Sequence, residues 1–224
     1  YNPSYSEARA GALGEPIPFH DANNGGPNII WRNNGDWTFA DVTAQTGLDQ
    51  NNTRFSFAAS WEDYDQDGDL DLYVANDFGR NCLYQNRGPQ EDGKLPFFVN
   101  IALQLGVEDT SAGMSTNWGD FNRDGWMDLY VSNMFSSAGN RITYQKQFIP
   151  GATPKTLSAF QHMARGNTLF AANGQGGFKD VSMETRTTMA RWSWGSTFAD
   201  LNNDGWLDIL AANGFITAED TGDL

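Results

Sequence analysis

An acidic nine-residue string occurs three times in this chain of 224 residues: DYDQDGDLD at 63–71, DFNRDGWMD at 120–128 and DLNNDGWLD at 200–208. Carboxylates crowded into one turn repel one another, so a fold that keeps rebuilding the turn must offset the charge. The surroundings of the string recur with it. Blocks running from Asn28 to Asn76, Asn81 to Asn133 and Asn167 to Asn213 superpose, at 47 to 53 residues each, with the acidic loop near the end of each block. A repeat of that length points to a stacked architecture rather than to a single irregular core.

Within a block the pattern is that of short strands. NIIW, NCLY and NTLF are apolar runs that lead into turns, and FADV, FVNI and FKDV alternate with period two. A third segment (FAASW, MSTNW, WGSTF) enters the acidic loop. A nearly continuous apolar run (LDLYVAN, MDLYVSN, LDILAAN) leaves it and reads as a strand buried on both faces. Four strands per unit of about fifty residues is the layout of a β-propeller blade. The expected architecture is therefore an all-β, incomplete β-propeller of at least three four-stranded blades. Its expected divisions are an extension or partial blade at 1–27, blade A at 28–78, blade B at 79–133, a basic insertion at 134–166, blade C at 167–217 and the start of a further segment at 218–224.

Composition agrees and removes some classes of function. Aromatic residues reach 13% and charged residues only 19%, which is not a disordered chain. The net charge of −14 makes nucleic acid or an anionic membrane surface an unfavourable partner. The acids are focused: the three loops hold eleven of the 28. One cysteine, Cys82, excludes an intrachain disulfide, and its place in a strand pattern reads as a buried strand residue. No apolar run has transmembrane length, and Tyr1 opens no leader pattern, which leaves the question of export open.

Numbered from the first aspartate, positions 1, 3, 5 and 9 are Asp63, Asp65, Asp67 and Asp71 in the first loop. They are Asp120, Asn122, Asp124 and Asp128 in the second, and Asp200, Asn202, Asp204 and Asp208 in the third. All offer side-chain oxygen and none nitrogen or sulfur, which selects a hard cation and favours Ca²⁺ over octahedral Mg²⁺. Position 6 is glycine throughout, as a sharp turn requires. Position 7 (Asp69, Trp126, Trp206) varies, as a backbone-carbonyl ligand would allow. Positions 2 (Tyr64, Phe121, Leu201) and 8 (Leu70, Met127, Leu207) are apolar and expected to anchor the loop to the core. An EF-hand would need a bidentate glutamate at position 12, where Val74, Val131 and Ala211 stand instead. The competing reading is three acidic β-turns without an ion. Three loops in register favour three structural Ca²⁺ sites. With extracellular-type affinities of about 10⁻⁴ to 10⁻³ M, such sites fill only in a calcium-rich location: extracellular, cell-surface or periplasmic.

The D-x-[DN]-x-D-G-x-x-D loop at the end of a four-strand block resembles the FG-GAP or VCBS repeat. WGSTFADLNNDGWLDILAANGFIT, NDFGRNCLYQNRG and DGWMDLYVSNMFSSAGNRIT are similar to the cartilage acidic protein-like, ASPIC/UnbV-associated group. The resemblance covers about residues 28 to 217. It implies a seven- or eight-bladed, calcium-bearing, exported propeller used for adhesion or as a scaffold, with no family-wide catalytic residues. This chain departs from it in holding three blades where a ring needs at least four, so it is expected to be part of a longer, seven- or eight-bladed one, and it has no ASPIC/UnbV segment. Open sheet flanks are then expected unless other blades or subunits cover them.

The insertion 134–166 carries Arg141, Lys146, Lys155 and Arg165 and no acid. Thr153 as N-cap, Pro154 at the first helical position and Gly166 after the end bracket a helix whose apolar face is Leu157, Phe160, Met163 and Ala164. Either the insertion folds onto its own acidic body or it forms a partner-binding surface. Only two histidines exist, His20 and His162, and no nucleophile, zinc or phosphate-loop motif is present. The expected function is a non-catalytic binding, adhesion or assembly module, with a protein or glycan at the cell surface or matrix as partner. The alternative is a calcium-dependent, carbohydrate-active propeller of polysaccharide-binding or lyase type. Trp31, Trp37, Trp192 and Trp194 are expected in the core rather than on a sugar platform. Asn51-Asn52-Thr53 is a formal glycosylation sequon.

Overall fold

The computed structural model describes residues 18–90 and 95–214; the first seventeen residues of the expected extension 1–27, the end of expected blade C at 215–217 and the expected segment 218–224 lie outside them. Twelve strands follow one another: β1 (Trp31–Asn33), β2 (Phe39–Asp41), β3 (Ser56–Glu62), β4 (Asp71–Asn76), β5 (Cys82–Pro89), β6 (Pro96–Asn100), β7 (Gly113–Gly119), β8 (Asp128–Asn133), β9 (Thr168–Ala172), β10 (Phe178–Asp180), β11 (Ser193–Ala199) and β12 (Asp208–Asn213). They form two four-stranded antiparallel meanders, β3-β4-β5-β6 and β7-β8-β9-β10, flanked by the two-stranded hairpins β1-β2 and β11-β12. The arrangement is all-β and propeller-like.

The sheets are out of phase with the blocks read from the sequence. β3 and β4 close block 28–78, yet their sheet is completed by β5 and β6 of the following block. The complete sheets therefore span 56–100 and 113–180 rather than 28–78, 79–133 or 167–217. A repeat fixes the length of its unit but not the strand at which the sheet begins. The phase is set by hydrogen bonds across the link between second and third strands. Asn81 Oδ1 accepts from Asn76 N at 2.7 Å, and Asn167 Oδ1 accepts from Asn133 N at 2.8 Å.

Strands β4 and β8 are buried along their whole length, as a run apolar on both faces requires. β12 has the same pattern and is largely exposed, because among the described residues no third strand covers its edge. The main core lies between the two complete sheets. Tyr73, Leu83, Val107, Leu129 and Val131 are fully enclosed there with Tyr64, Ile101 and Phe170. Burying each such aliphatic side chain contributes about 1.5–3 kcal/mol. Cys82 sits in β5 at 2% exposure, a packed strand residue whose thiol is pushed up by burial. Along the inner strands the seams are polar: Ser60 with Thr116, and Ser115 and Asn117 with Ser196.

Two one-turn helices follow β6 and β10, α1 (Ala102–Leu105) and α4 (Ser182–Thr185). The last strand residue starts each of them: Asn100 Oδ1 accepts from Ala102 N at 3.2 Å and Asp180 Oδ1 from Ser182 N at 3.0 Å. Asp41 makes the same turn with Thr43 N after β2. The insertion lies between β8 and β9, where the first sheet uses only residues 77–80. It holds α2 (Ser137–Ile142) and α3 (Pro154–Arg165). Thr153 caps α3 by accepting from Thr156 N at 3.2 Å, Pro154 opens it and Gly166 follows it. Met163 and Ala164 are buried, while Leu157 and Phe160 are half-buried.

Candidate metal centre

The three acidic loops share one backbone. Position 4 (Gln66, Arg123, Asn203) is left-handed at φ 60° in each, and the glycine at position 6 has φ 93°, 89° and 85°. The position-1 carboxylate ties the turn by accepting two amides. Asp63 takes Asp67 N and Gly68 N at 3.0 Å each. Asp120 takes Asp124 N and Gly125 N at 3.0 and 2.9 Å, and Asp200 takes Asp204 N and Gly205 N at 3.1 and 2.8 Å. At position 5, Asp67, Asp124 and Asp204 each accept the amide of position 7 at 2.9 Å.

Position 9 is the first residue of the buried second strand, and the third strand holds it in place. Asp71 Oδ1 accepts from Asn86 N at 2.7 Å, and Asp128 Oδ1 from Ala172 N at 2.8 Å. Asp128 Oδ2 accepts from Phe121 N, and Asp208 Oδ2 from Leu201 N, both at 3.1 Å. Asp208 is exposed, and its hairpin has no third strand among the described residues.

The first loop has the strongest cage. Asp63, Asp65 and Asp71 bring carboxylate oxygens within 4.8 Å of one another, and among the described residues this is the one such acidic cluster. Gln85 Nε2 holds Asp65 Oδ2 at 2.5 Å, while Asp65 Oδ1 and Asp71 Oδ2 are buried without a hydrogen-bond partner. Burial pushes the Asp71 carboxyl up to about 7, with the charges of Asp65 and Asp67 adding to it against the Asn86 amide. Buried oxygens with no donor, on mutually repelling carboxylates, fit a cation. The donor set is oxygen alone, so the ion that fits is a hard one.

The other loops differ at position 3. Asn122 Nδ2 donates to Asp124 Oδ2 at 3.0 Å, and Asn202 Nδ2 to Asp204 Oδ2 at 2.8 Å, so an amide lies where the first loop has a charge. Burial still pushes Asp128 up to about 6, the amides of Ala172 and Phe121 opposing and Asp124 and Asp120 adding. Asp204 is held below the usual range by the Trp206 amide and the Asn202 side chain.

The anchoring expected of positions 2 and 8 needs correction. Tyr64 is buried and Phe121 packs beside Tyr130 and Leu169, but Leu201 and Leu70 are exposed at 67% and 56%. Leu201 lies at the open flank, and Leu70 sits on the outside of its turn. The tryptophans also depart from expectation. Trp37 is 99% and Trp31 56% exposed, both on the β1–β2 hairpin, while Trp194 is 38% exposed and packs edge-on to Trp192.

Position 4 escaped notice in the sequence, yet its side chains join the loops in series. Gln66 Nε2 donates to Gly125 O at 2.5 Å, and the Arg123 guanidinium stands 5.2 Å over the Trp206 ring. Its only signal is shape: a non-glycine held left-handed points its side chain away from its own turn. Outside the loops, His162 Nε2 is hydrogen-bonded to Asp109, whose fully buried carboxylate also accepts from Asn133 Nδ2 at 2.8 Å. Arg165 pairs with Asp180 at 2.8 Å, so the insertion makes ionic contacts with its own chain, while Arg141, Lys146 and Lys155 are exposed.

A meander of four strands with an oxygen-lined loop between the first two defines a propeller-type repeat, and the family comparison agrees. The FG-GAP-like repeat model matches residues 63–131 and 157–211, and the chain belongs to that family. It is similar to cartilage acidic protein 1 of Homo sapiens, 27% identical over 122 residues, and of Mus musculus, 26% identical over 122 residues. Each alignment takes in 54% of this chain and 18% of the relative. The Xenopus tropicalis protein of the same name is 41% identical over 64 residues, 28% of this chain and 9% of that one. The aligned region thus spans less than a fifth of the length of these relatives. Among the described residues no helix is long and apolar enough to cross a membrane.

Proposed function

We propose that this chain is a calcium-stabilised, non-catalytic propeller module that works outside the cytoplasm in binding, adhesion or assembly. The observation that carries the reading is the first loop, where buried, unpartnered oxygens of Asp65 and Asp71 converge with Asp63. Asp67 and the carbonyl of Asp69 complete its oxygen set. In the second loop the ligands are Asp120, Asn122, Asp124, Asp128 and the Trp126 carbonyl. In the third they are Asp200, Asn202, Asp204, Asp208 and the Trp206 carbonyl. Bound cations supply charge neutralisation and a fixed point joining the first two strands of a sheet. The chain's own residues do the rest: the position-1 carboxylate holds the turn, and the third strand fixes position 9.

A site with a dissociation constant of about 10⁻⁴ M contributes roughly 1.4 kcal/mol at 1 mM calcium. Three sites would contribute roughly 4 kcal/mol, a large share of a domain's margin. Similarity to proteins whose name places them in cartilage supports an extracellular setting. Thermal melts in chelator and in 1 mM calcium test the reading, with a higher midpoint expected in calcium. Superimposable curves would remove it.

A further inference from the structure

The first two acidic loops differ in what the third strand of their sheet brings to them. The pairings Leu72↔Tyr84 and Leu129↔Phe170 set β5 against β4 and β9 against β8 in one register. Gln85 therefore corresponds to Ala171, and Asn86 to Ala172. In both sheets one backbone amide, that of Asn86 or of Ala172, reaches the position-9 carboxylate. Of the two strands, β5 alone adds side chains to the loop. Gln85 Nε2 donates to Asp65 Oδ2 at 2.5 Å, and Asn86 Nδ2 donates to Leu70 O at 3.2 Å. Ala171 and Ala172 carry no polar side-chain atom.

Position 3 changes together with this partner: Asp65 goes with a glutamine, Asn122 with an alanine. An ionised carboxylate has no donor of its own, so another group must supply the donor that fixes it. An asparagine carries a donor and an acceptor and settles inside its own turn. Asn122 Oδ1 accepts from Asp124 N and its Nδ2 donates to Asp124 Oδ2, both at 3.0 Å. Asp65 is held from outside the turn instead. With its Oδ2 on Gln85, its Oδ1 is buried and unpartnered, and so is Oδ2 of Asp71, a residue only 1% exposed. Asp63, Asp65 and Asp71 converge within 4.8 Å, whereas Asp120, Asp124 and Asp128 form no such cluster. A buried acceptor without a donor needs a partner, and two of them among converging carboxylates call for a cation.

We propose that Gln85 is a positioning residue for the cation and makes the first loop a preformed site that fills before the second. Gln85 acts through Asp65: its amide takes one carboxylate oxygen and leaves the other for the ion. The Asn86 amide divides the oxygens of Asp71 in the same way. Charge works in the same direction. The first loop holds five aspartates, Asp63, Asp65, Asp67, Asp69 and Asp71, and the second holds three, Asp120, Asp124 and Asp128, beside Arg123. Oxygen sites for Ca²⁺ are tuned by ligand charge and by rigidity, and the first loop has more of both. Groups that hold a metal ligand from behind change affinity by about 10- to 100-fold when they are lost. The inference rests on the cation reading of the proposed function, and it adds an order of filling and the residue that sets it.

Calcium titration of the 224-residue chain, followed by amide NMR, reads the loops one at a time. Gly68 N and Gly125 N each donate to the position-1 carboxylate of their own loop and report on it. In wild type the Gly68 signal should reach its midpoint at lower calcium than the Gly125 signal. Gln85→Ala should raise the Gly68 midpoint by about 10-fold or more, with a much smaller change at Gly125. Asp65→Ala should raise it too, and adding Gln85→Ala to that variant should change little further, because the amide then has no carboxylate to hold. Thermal melts in chelator show that each variant is folded. An unchanged Gly68 midpoint in Gln85→Ala, an equal shift at Gly125, or additive effects in the double variant would each overturn the inference. If both amides of the wild-type chain respond at one calcium concentration, or Gly125 responds first, this inference falls and the cation reading stands. If neither responds to calcium, the cation reading falls and this inference with it.

Discussion

Asp71 should have opposite effects on stability with and without a cation. It is 1% exposed at the head of a buried strand, with one oxygen on the Asn86 amide and the other unpartnered. In chelator its charge is a cost, and Asp71→Asn should match or exceed wild-type stability. In 1 mM calcium the variant loses a ligand and should fall below wild type, by roughly 1.4 kcal/mol on the affinity assumed above. A variant that loses the same stability in both buffers would show Asp71 to be structural only. Asp77 gives a second residue-scale prediction, away from the loops. Burial pushes its carboxyl up to about 6 from 3.8, so the fold prefers the neutral acid. Its contribution is full below the unfolded value and is lost as pH rises through about 6. Asp77→Asn stays neutral and should melt higher than wild type at pH 7.5, with the gap narrowing by pH 4.5. A gap independent of pH would mean that the carboxyl does not titrate in this window. The candidate loop residues were legible because oxygen side chains at alternate positions can be read from identity alone. Gln66 and Arg123 were not, because their role comes from a left-handed φ that no side chain among Gln, Arg and Asn announces.

At the scale of elements, strands and the long helix could be read and the phase of the sheets could not. Thr153, Pro154 and Gly166 bound α3 as a cap, a first-turn proline and a glycine stop should. Thr153→Ala should cost about 1 kcal/mol in urea unfolding, and Thr153→Ser should restore most of it. Full stability in the alanine variant would mean that tertiary contacts alone hold the helix. The short helices α1 and α4 were hidden because they depend on Asn100 and Asp180, which fill a polar place in an alternating strand and also receive the next amide. The insertion is structural at least in part. His162 partners Asp109, a carboxylate with no exposure, and Phe160 lies within 6.5 Å of the Phe19 ring. Exchanging residues 134–166 for the short connection Asp77-Phe78-Gly79-Arg80 keeps the β8–β9 link but leaves Asp109 without His162. Removing one hydrogen-bond partner of a buried group costs about 1–3 kcal/mol, so the exchanged protein should melt below wild type. An unchanged midpoint would free the insertion from any structural role and favour a surface held for a partner.

For the whole molecule, stability should vary along the arc rather than act as one block. Stacked repeats touch mainly their neighbours, so each sheet is stabilised by its own strands and two adjoining seams. β4 and β8 have strands on both edges and are buried throughout, whereas among the described residues β12 has one strand beside it and is largely exposed. Local opening costs least where few buried contacts must break. Hydrogen exchange should therefore show amides of β12 exchanging well before those of β4 and β8. The third acidic loop should follow β12, because Asp208 lacks the third-strand amide that Asp71 and Asp128 accept. Its cation would then bind more weakly than those of the first two loops. Equal protection of β4, β8 and β12 would mean that the flank is closed by other means.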